Sequence, residues 1–413
     1  MADTHPPDRK TSAGKKRGGT SGKVADFRYK RPPQPDPRRH DAPGCGKPAA
    51  RRAPDLAAIG AMRAPSHGEA YAALDLGTNN CRLLIARPSG RDFTVIDAFS
   101  RVVKLGEGLA TTGRLSDAAM ERTLAALAIC ADKLQRRNVR LARSVATEAC
   151  RRAANGADFI ERVRRETGIV LDIISAEEEA RLAVLGCHIL LEAGDGPAVI
   201  FDIGGGSTEL VLVEPDAASP ARVPRILDWQ SVPWGVVSLT DTIGRGEDSE
   251  AARAARYARM KAMVAESFAP FAARIAAAAR HGDIRLLGTS GTVTTLASLY
   301  LELPSYDRSA VDGLIVPAAA MREISARLSL MTPYERASLP CIGADRADLV
   351  VAGCAILEAI LDLWPARRLG VADRGIREGI LRSIMAAERR SERSLKALQR
   401  QRGAAPPARH SRA

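Results

Sequence analysis

Val199-Ile-Phe-Asp-Ile-Gly-Gly-Gly-Ser-Thr-Glu-Leu-Val-Leu-Val213 is the stretch on which the reading of this chain turns. An apolar run meets Asp202, then Gly204, Gly205 and Gly206, then Ser207, Thr208 and Glu209, and a second apolar run follows. The flanks read as two buried strands and the middle as a tight turn between them. Consecutive glycines let backbone N–H groups converge with no Cβ in the way, which makes a nest for an anion. Asp202 at the strand end places a carboxylate beside that nest, where a hard cation could bridge it to a phosphate. A plain glycine hairpin is the alternative for this copy taken alone.

A second copy stands earlier in the chain. Ala72-Ala-Leu-Asp-Leu-Gly-Thr-Asn-Asn-Cys-Arg-Leu-Leu-Ile-Ala-Arg87 has the same order of strand, aspartate, glycine, small polar residues and strand. Two such hairpins are the arrangement expected of two similar lobes that face each other across a phosphate site.

At 413 residues the chain is long enough for two domains with sizeable cores. No stretch approaches the roughly 18 consecutive apolar residues of a membrane span, and the N-terminus lacks the apolar segment of a secretory signal. The seven cysteines are scattered without a C-x-x-C pair, so neither a disulfide framework nor a zinc site is indicated. A reducing cytoplasm fits. The net charge of +13 resides in the ends: residues 1–68 carry 15 Lys/Arg against 6 Asp, and residues 388–413 carry 8 Lys/Arg against 2 Glu. Residues 1–68 are too poor in apolar side chains to offset the entropy of ordering and read as a disordered basic arm. The arm is either a solubilising tail or a non-specific polyanion tether, for instance to RNA.

Strands and helices alternate in both halves, which predicts an α/β protein with two mixed sheets. The organisation expected is the arm, an N-terminal domain over 69–194, a C-terminal domain over 195–373, a last helix over 374–388 packing back on the first domain, and a disordered basic tail over 389–413. Ser116 is the N-cap candidate for a helix to Arg137. Ser175-Ala-Glu-Glu178 has the spacing of a capping box opening a helix to about Glu192.

Together these residues resemble the exopolyphosphatase and guanosine pentaphosphate phosphohydrolase family, within the actin-like, sugar-kinase and chaperone-ATPase superfamily. The resemblance is read from Asp75-Leu-Gly-Thr-Asn79, Arg151 with Asn155 and Phe159, Ile173-Ile-Ser-Ala-Glu-Glu-Glu-Ala-Arg-Leu182, Asp202 to Glu209, Gly288-Thr-Ser-Gly291 and Gly375-Ile-Arg-Glu-Gly379. It spans about residues 70–388 and implies two actin-like, ribonuclease H-like domains with a cleft between them. It matches the short two-domain form, since the six histidines cannot supply the His-Asp helical domain of longer members. The resemblance also implies homodimers. Ala176 stands where the family usually has glycine, a strained position if that turn demands positive φ.

Hydrolysis of a terminal phosphoanhydride needs an oriented water, neutralisation of the transferring group and a proton acceptor. The resemblance assigns the acceptor role to Glu179, while Glu178 reads as the capping-box residue and Glu177 as a first-turn glutamate favoured by the helix dipole. Asp75, Asp202 and Glu209 are the candidates for holding Mg²⁺ or Mn²⁺, with a solvent-facing strand position the alternative for Glu209. The backbone of Gly77, Thr78, Asn79 and Asn80, and of Gly204 to Thr208, would cradle phosphates from either side. Arg151 would grip a phosphate oxygen, or else form a surface salt bridge. Ser290 and Gly291 add a third phosphate contact, with a helix N-cap the alternative.

The expected activity is release of terminal orthophosphate from inorganic polyphosphate. Guanosine pentaphosphate is the alternative substrate; an ATP-dependent kinase of the sugar-kinase type and a non-catalytic polyphosphate- or RNA-binding protein are the alternatives of other classes.

Overall fold

The computed structural model describes residues 68–403 apart from 91, 195, 217–221, 245 and 280–283. The basic arm expected over 1–68 therefore lies outside the described residues, Gly68 excepted.

The first lobe opens with β1 (Ala70–Leu76), β2 (Asn80–Ser89) and β3 (Asp92–Val102). There follow α1 (Leu109–Thr112), α2 (Asp117–Arg136), β4 (Val139–Ala146), α3 (Glu148–Arg152), α4 (Gly156–Thr167), β5 (Leu171–Ile173) and α5 (Ala176–Cys187). The five strands order as β3-β2-β1-β4-β5, an antiparallel meander with β4 and β5 added in parallel.

The second lobe repeats the plan. β6 (Ala198–Ile203), β7 (Thr208–Glu214) and β8 (Arg225–Val232) form the meander. After α6 (Val236–Ile243) and α7 (Glu250–Ala279), β9 (Arg285–Thr289) pairs in parallel with β6. Then come α8 (Gly291–Tyr300), α9 (Arg308–Val311), β10 (Ile315–Pro317), α10 (Ala318–Leu330), α11 (Pro333–Ser338), α12 (Leu349–Leu363), β11 (Arg368–Ala372) and α13 (Ile376–Gly403). β11 extends the sheet in parallel from β9, and β10 closes its edge antiparallel. Two mixed sheets flanked by helices, each built on one meander, are the actin-like architecture expected from the sequence.

Helix α5 stands between the two sheets, which explains why it is wholly apolar from Leu182 to Cys187. Leu182 packs with Tyr71, Ala73 and Val145 of the first sheet, while Ala180, Val184 and Cys187 pack with Ile200, Val211 and Leu287 of the second. α13 crosses α5 at backbone distance. A Cβ on Gly186 would lie 1.9 Å from the Gly375 carbonyl oxygen, and one on Gly379 would lie 2.0 Å from that of Leu182. Ile380, Leu381 and Met385 of α13 then seal the first sheet.

Local signals in the sequence explain most boundaries. Ser116 accepts from the Ala119 N–H at the start of α2, a cap typically worth about 1 kcal/mol. Ser175 accepts from the Glu178 N–H in the same way. The reciprocal half of the expected capping box does not form: the Glu178 carboxylate turns to Arg143 and Arg181 instead, because two guanidinium partners outbid one backbone N–H. Ala176 is the first residue of α5 in helical conformation, so the strain expected from replacing glycine there is absent. α5 ends at Cys187, short of Glu192, and passes into a single 3₁₀ turn over His188–Leu190. α13 continues to Gly403, past the boundary near 389, through a run of Arg, Glu, Lys, Ala and Leu that favours helix. Residues 404–413 lie outside the description. Among the described residues no helix is long and apolar enough to cross a membrane.

Candidate active site

Each of the two glycine turns is a backbone device with its carbonyls tied down. In the loop after β6, the Gly204 carbonyl accepts from Val236 N–H, that of Gly205 from Val237 and Ser238, and that of Gly206 from the Ser238 hydroxyl. The first turn of α6 thus holds the carbonyls, leaving the Gly205, Gly206 and Ser207 amides without a backbone acceptor among the described residues. In the loop after β1, the Thr78 carbonyl accepts from Gly106 N–H and that of Asn79 from Val103 and Lys104. Amides gathered this way form an anion cradle.

The two cradles touch. A Cβ on Gly205 would lie 3.0 Å from Thr78 Cβ and 3.1 Å from the Asn79 nitrogen; one on Gly206 would lie 2.6 Å from Thr78 Oγ1 and 2.9 Å from Glu148 Cγ. None of the three glycines has positive φ; close approach of the lobes demands Gly205 and Gly206, whereas a Cβ on Gly204 would lie 2.9 Å from the Ser207 carbonyl oxygen of its own turn.

A cavity of about 130 Å³ opens between the lobes at this contact. Asp75, Glu179, Asp202 and Glu209 all line it, together with Gly77 to Asn80, Gly204 to Ser207, Ser290 and Gly291. Two residues singled out in the sequence do not. Thr208 is fully buried, its hydroxyl bonded to the Trp234 carbonyl at 2.6 Å. Arg151 stands behind Glu148 and Glu179, donating to both.

The four carboxylates are all pushed upward in pKa. Burial is the main cause for Asp75, helped by Asp202 and opposed by Arg82 and Arg377. Asp202 is raised by burial against the Ser290 hydrogen bond and Arg82. Burial and then Asp202 push Glu209 up to about 7, although Ser207 and Ser231 donate to its Oε1 at 2.7 and 2.9 Å. Glu179 is held well above the carboxylate range by burial and Glu209, with Arg151 pulling the other way. The helix-dipole effect that would acidify Glu179 is therefore overridden by desolvation.

Such crowding of buried acids fits a divalent cation. Asp75 Oδ1 and Asn79 Oδ1 are both buried and lack a hydrogen-bond partner among the described residues. Among the described residues no group of three or more Asp, Glu, His or Cys could hold a metal ion by itself. Asp75 and Asn79 could hold a hard cation such as Mg²⁺ only where waters or phosphate oxygens complete its shell.

Cations also line the cavity. Arg82 follows the first loop, Arg346 precedes α12, and Arg377 opens α13. Burial lowers the pKa of Arg377, with Arg82 adding to the effect. Arg377 and Glu148 received no role from the sequence. The available signal for Arg377 was its place after a third strand end, that of β11, at the mouth of a helix.

The chain resembles known proteins over the same region. The model of the Ppx/GppA phosphatase family matches residues 84–388. An "Exopolyphosphatase 2" of Mycobacterium tuberculosis is 31% identical over 330 residues, covering 76% of this chain and 98% of the relative. A "Guanosine-5'-triphosphate,3'-diphosphate pyrophosphatase" of Aeromonas salmonicida is also 31% identical, over 318 residues, with 76% of this chain and 59% of the relative covered. Among solved structures, the Aquifex aeolicus Ppx/GppA family member aligns with a TM-score of 0.62 at 28% identity, covering 78% of this chain and 98% of that one. An exopolyphosphatase from Cytophaga hutchinsonii shares the fold, with a TM-score of 0.67 at 24% identity over 77% of this chain and 98% of that one.

Proposed function

Because this chain belongs to the Ppx/GppA phosphatase family, we propose that it releases terminal orthophosphate from inorganic polyphosphate by attack of water on the last phosphoanhydride. The observation that carries this reading is the convergence of Asp75, Glu179, Asp202 and Glu209 with two amide cradles on one cavity.

The cradles of Gly77–Asn80 and Gly204–Ser207 bind and orient the terminal phosphate groups from opposite lobes. Glu179 takes the proton of the attacking water. Burial and Glu209 raise its pKa, which strengthens it as a proton acceptor relative to an ordinary carboxylate. Arg151 fixes the Glu179 carboxylate through the 3.1 Å bond to Oε2. Asp75 and Asp202, with Glu209 behind them, would hold Mg²⁺ or Mn²⁺, which when bound neutralises charge on the phosphate oxygens.

Guanosine pentaphosphate is the second reading, supported by the equal identity to the Aeromonas relative. The test is phosphate release from polyphosphate, guanosine pentaphosphate and ATP, each with and without Mg²⁺. Fastest metal-dependent release from polyphosphate supports the proposal, and fastest release from guanosine pentaphosphate selects the second reading. ATP turnover that requires an added sugar would make the protein a kinase. Tight binding of polyphosphate without turnover would remove the enzyme altogether.

A further inference from the structure

We propose that Glu148 is a displaceable plug, occupying the guanidinium edge of Arg151 that an incoming substrate phosphate takes over. The inference rests on the phosphohydrolase reading given above. Arg151 offers five N–H donors. Nε and Nη2 both reach Glu148 Oε2, at 3.1 and 2.5 Å; Nη1 reaches the Ile174 carbonyl at 2.8 Å and Glu179 Oε2 at 3.1 Å. One N–H remains, so the two-pronged Nε/Nη2 fork suited to a phosphate is closed while Glu148 stays in place.

Position favours the exchange. Glu148 lines the cavity and Arg151 does not. The Glu148 side chain lies against the second cradle, where a Cβ on Gly206 would meet its Cγ at 2.9 Å. A phosphate seated on that cradle thus has a carboxylate for a neighbour and a guanidinium just behind it. Like charges repel and the nearby cation is shared, so the phosphate displaces the carboxylate and inherits its fork. Glu148 keeps a second cation within reach when it leaves Arg151. Its remaining partner is Arg152 at 3.7 Å, itself well exposed, and toward that arginine the freed carboxylate can swing. The bond from Nη1 to Glu179 survives the exchange, because it uses the other side of the guanidinium.

The opposing view is that Glu148 is a permanent brace which fixes Arg151 for Glu179. Binding in the absence of turnover separates the two. Tripolyphosphate is titrated by calorimetry into full-length protein carrying Glu179→Gln, alone or combined with Glu148→Gln or Glu148→Asp. A plug predicts binding about two- to fivefold tighter when it is removed, the range of a partly exposed ion pair. Glu148→Asp keeps the charge and loses the reach, so it too should tighten binding. Unchanged or weaker binding in both double variants overturns the proposal in favour of the brace. Tightening by Gln alone overturns it in favour of general charge repulsion. Failure of Glu179→Gln itself to bind tripolyphosphate removes the phosphohydrolase reading and this inference with it.

Discussion

Arg151 donates from Nη1 to Oε2 of Glu179 at 3.1 Å, joining the short helix α3 to the first turn of α5 across the edge of the cavity. Glu179 feels two opposed influences: burial and Glu209 raise its pKa, and this guanidinium lowers it. For a group that must accept a proton, the acid limb of the pH–rate profile marks the pH below which it is already protonated. Arg151→Gln takes away the lowering influence, so the acid limb should move to higher pH. A profile that drops in height without moving would mean that Arg151 acts on substrate alone.

Glu179→Gln keeps the shape and the hydrogen-bond partner and removes proton-accepting capacity. Loss of a general base typically costs on the order of 10²–10⁴ in rate. Phosphate release should fall by about that much while polyphosphate binding persists. Activity within a few fold of wild type would move the base elsewhere, with Glu209 the next carboxylate in line.

Glu209 gives a stability test with a definite sign. Its folded pKa is about 7, above its ordinary value of 4.5, so the folded state holds a proton that the unfolded state has released. Stability should therefore fall as pH rises from the ordinary carboxylate range through about 7. Glu209→Gln should flatten that slope in urea unfolding across the same window. Mg²⁺ should do the same to the wild type, by favouring the charged carboxylates. A slope unchanged by both would show that Glu209 titrates normally.

Much of this site was legible in the chain. Asp75 and Asp202 declared themselves because each ends an apolar run and precedes glycine, a pattern that repeats with the repeat of the fold. Glu179 came from resemblance, since nothing local separates it from Glu177 and Glu178; burial between two sheets separates them, and burial is a tertiary property. Thr208 looked like part of the cradle until the pleat turned its hydroxyl to Trp234. The role of the glycines was half-readable. Sequence says the Cβ is unwanted, but only the packed lobes show that Thr78 and Glu148 are what it would strike. Arg377 stood inside the Gly375–Gly379 motif without a role, because an arginine at a helix start reads as surface until α13 crosses α5.

The glycine contacts predict an ordered series. Gly206→Ala puts a methyl group 2.6 Å from Thr78 Oγ1, and Gly205→Ala puts one 3.0 Å from Thr78 Cβ. Both should wedge the cradles apart and depress activity strongly, Gly206→Ala the more. Gly291→Ala meets nothing within 4 Å at a position without positive φ, and its stability should be unaffected. Equal activity in the two cradle variants and wild type would mean that the lobes need not touch for turnover.

Ser290 supplies the last prediction. It sits at φ 82°, ψ 179°, a region that costs a residue with a side chain about 1–3 kcal/mol and that glycine enters freely. Its side chain caps no helix amide; its hydroxyl donates to Asp202 Oδ1. A helix start needs no such strain, so the backbone is held there for the sake of what the hydroxyl reaches. Ser290→Gly releases the strain and deletes that bond. Thermal unfolding should stay near that of the wild type, because a bond to a carboxylate is worth about as much as the strain released. Activity should fall, with a higher Mg²⁺ concentration needed for half-maximal phosphate release, because one oxygen of Asp202 is left unheld. Stability and activity falling together would identify Ser290 as an ordinary structural residue whose backbone is not strained at all.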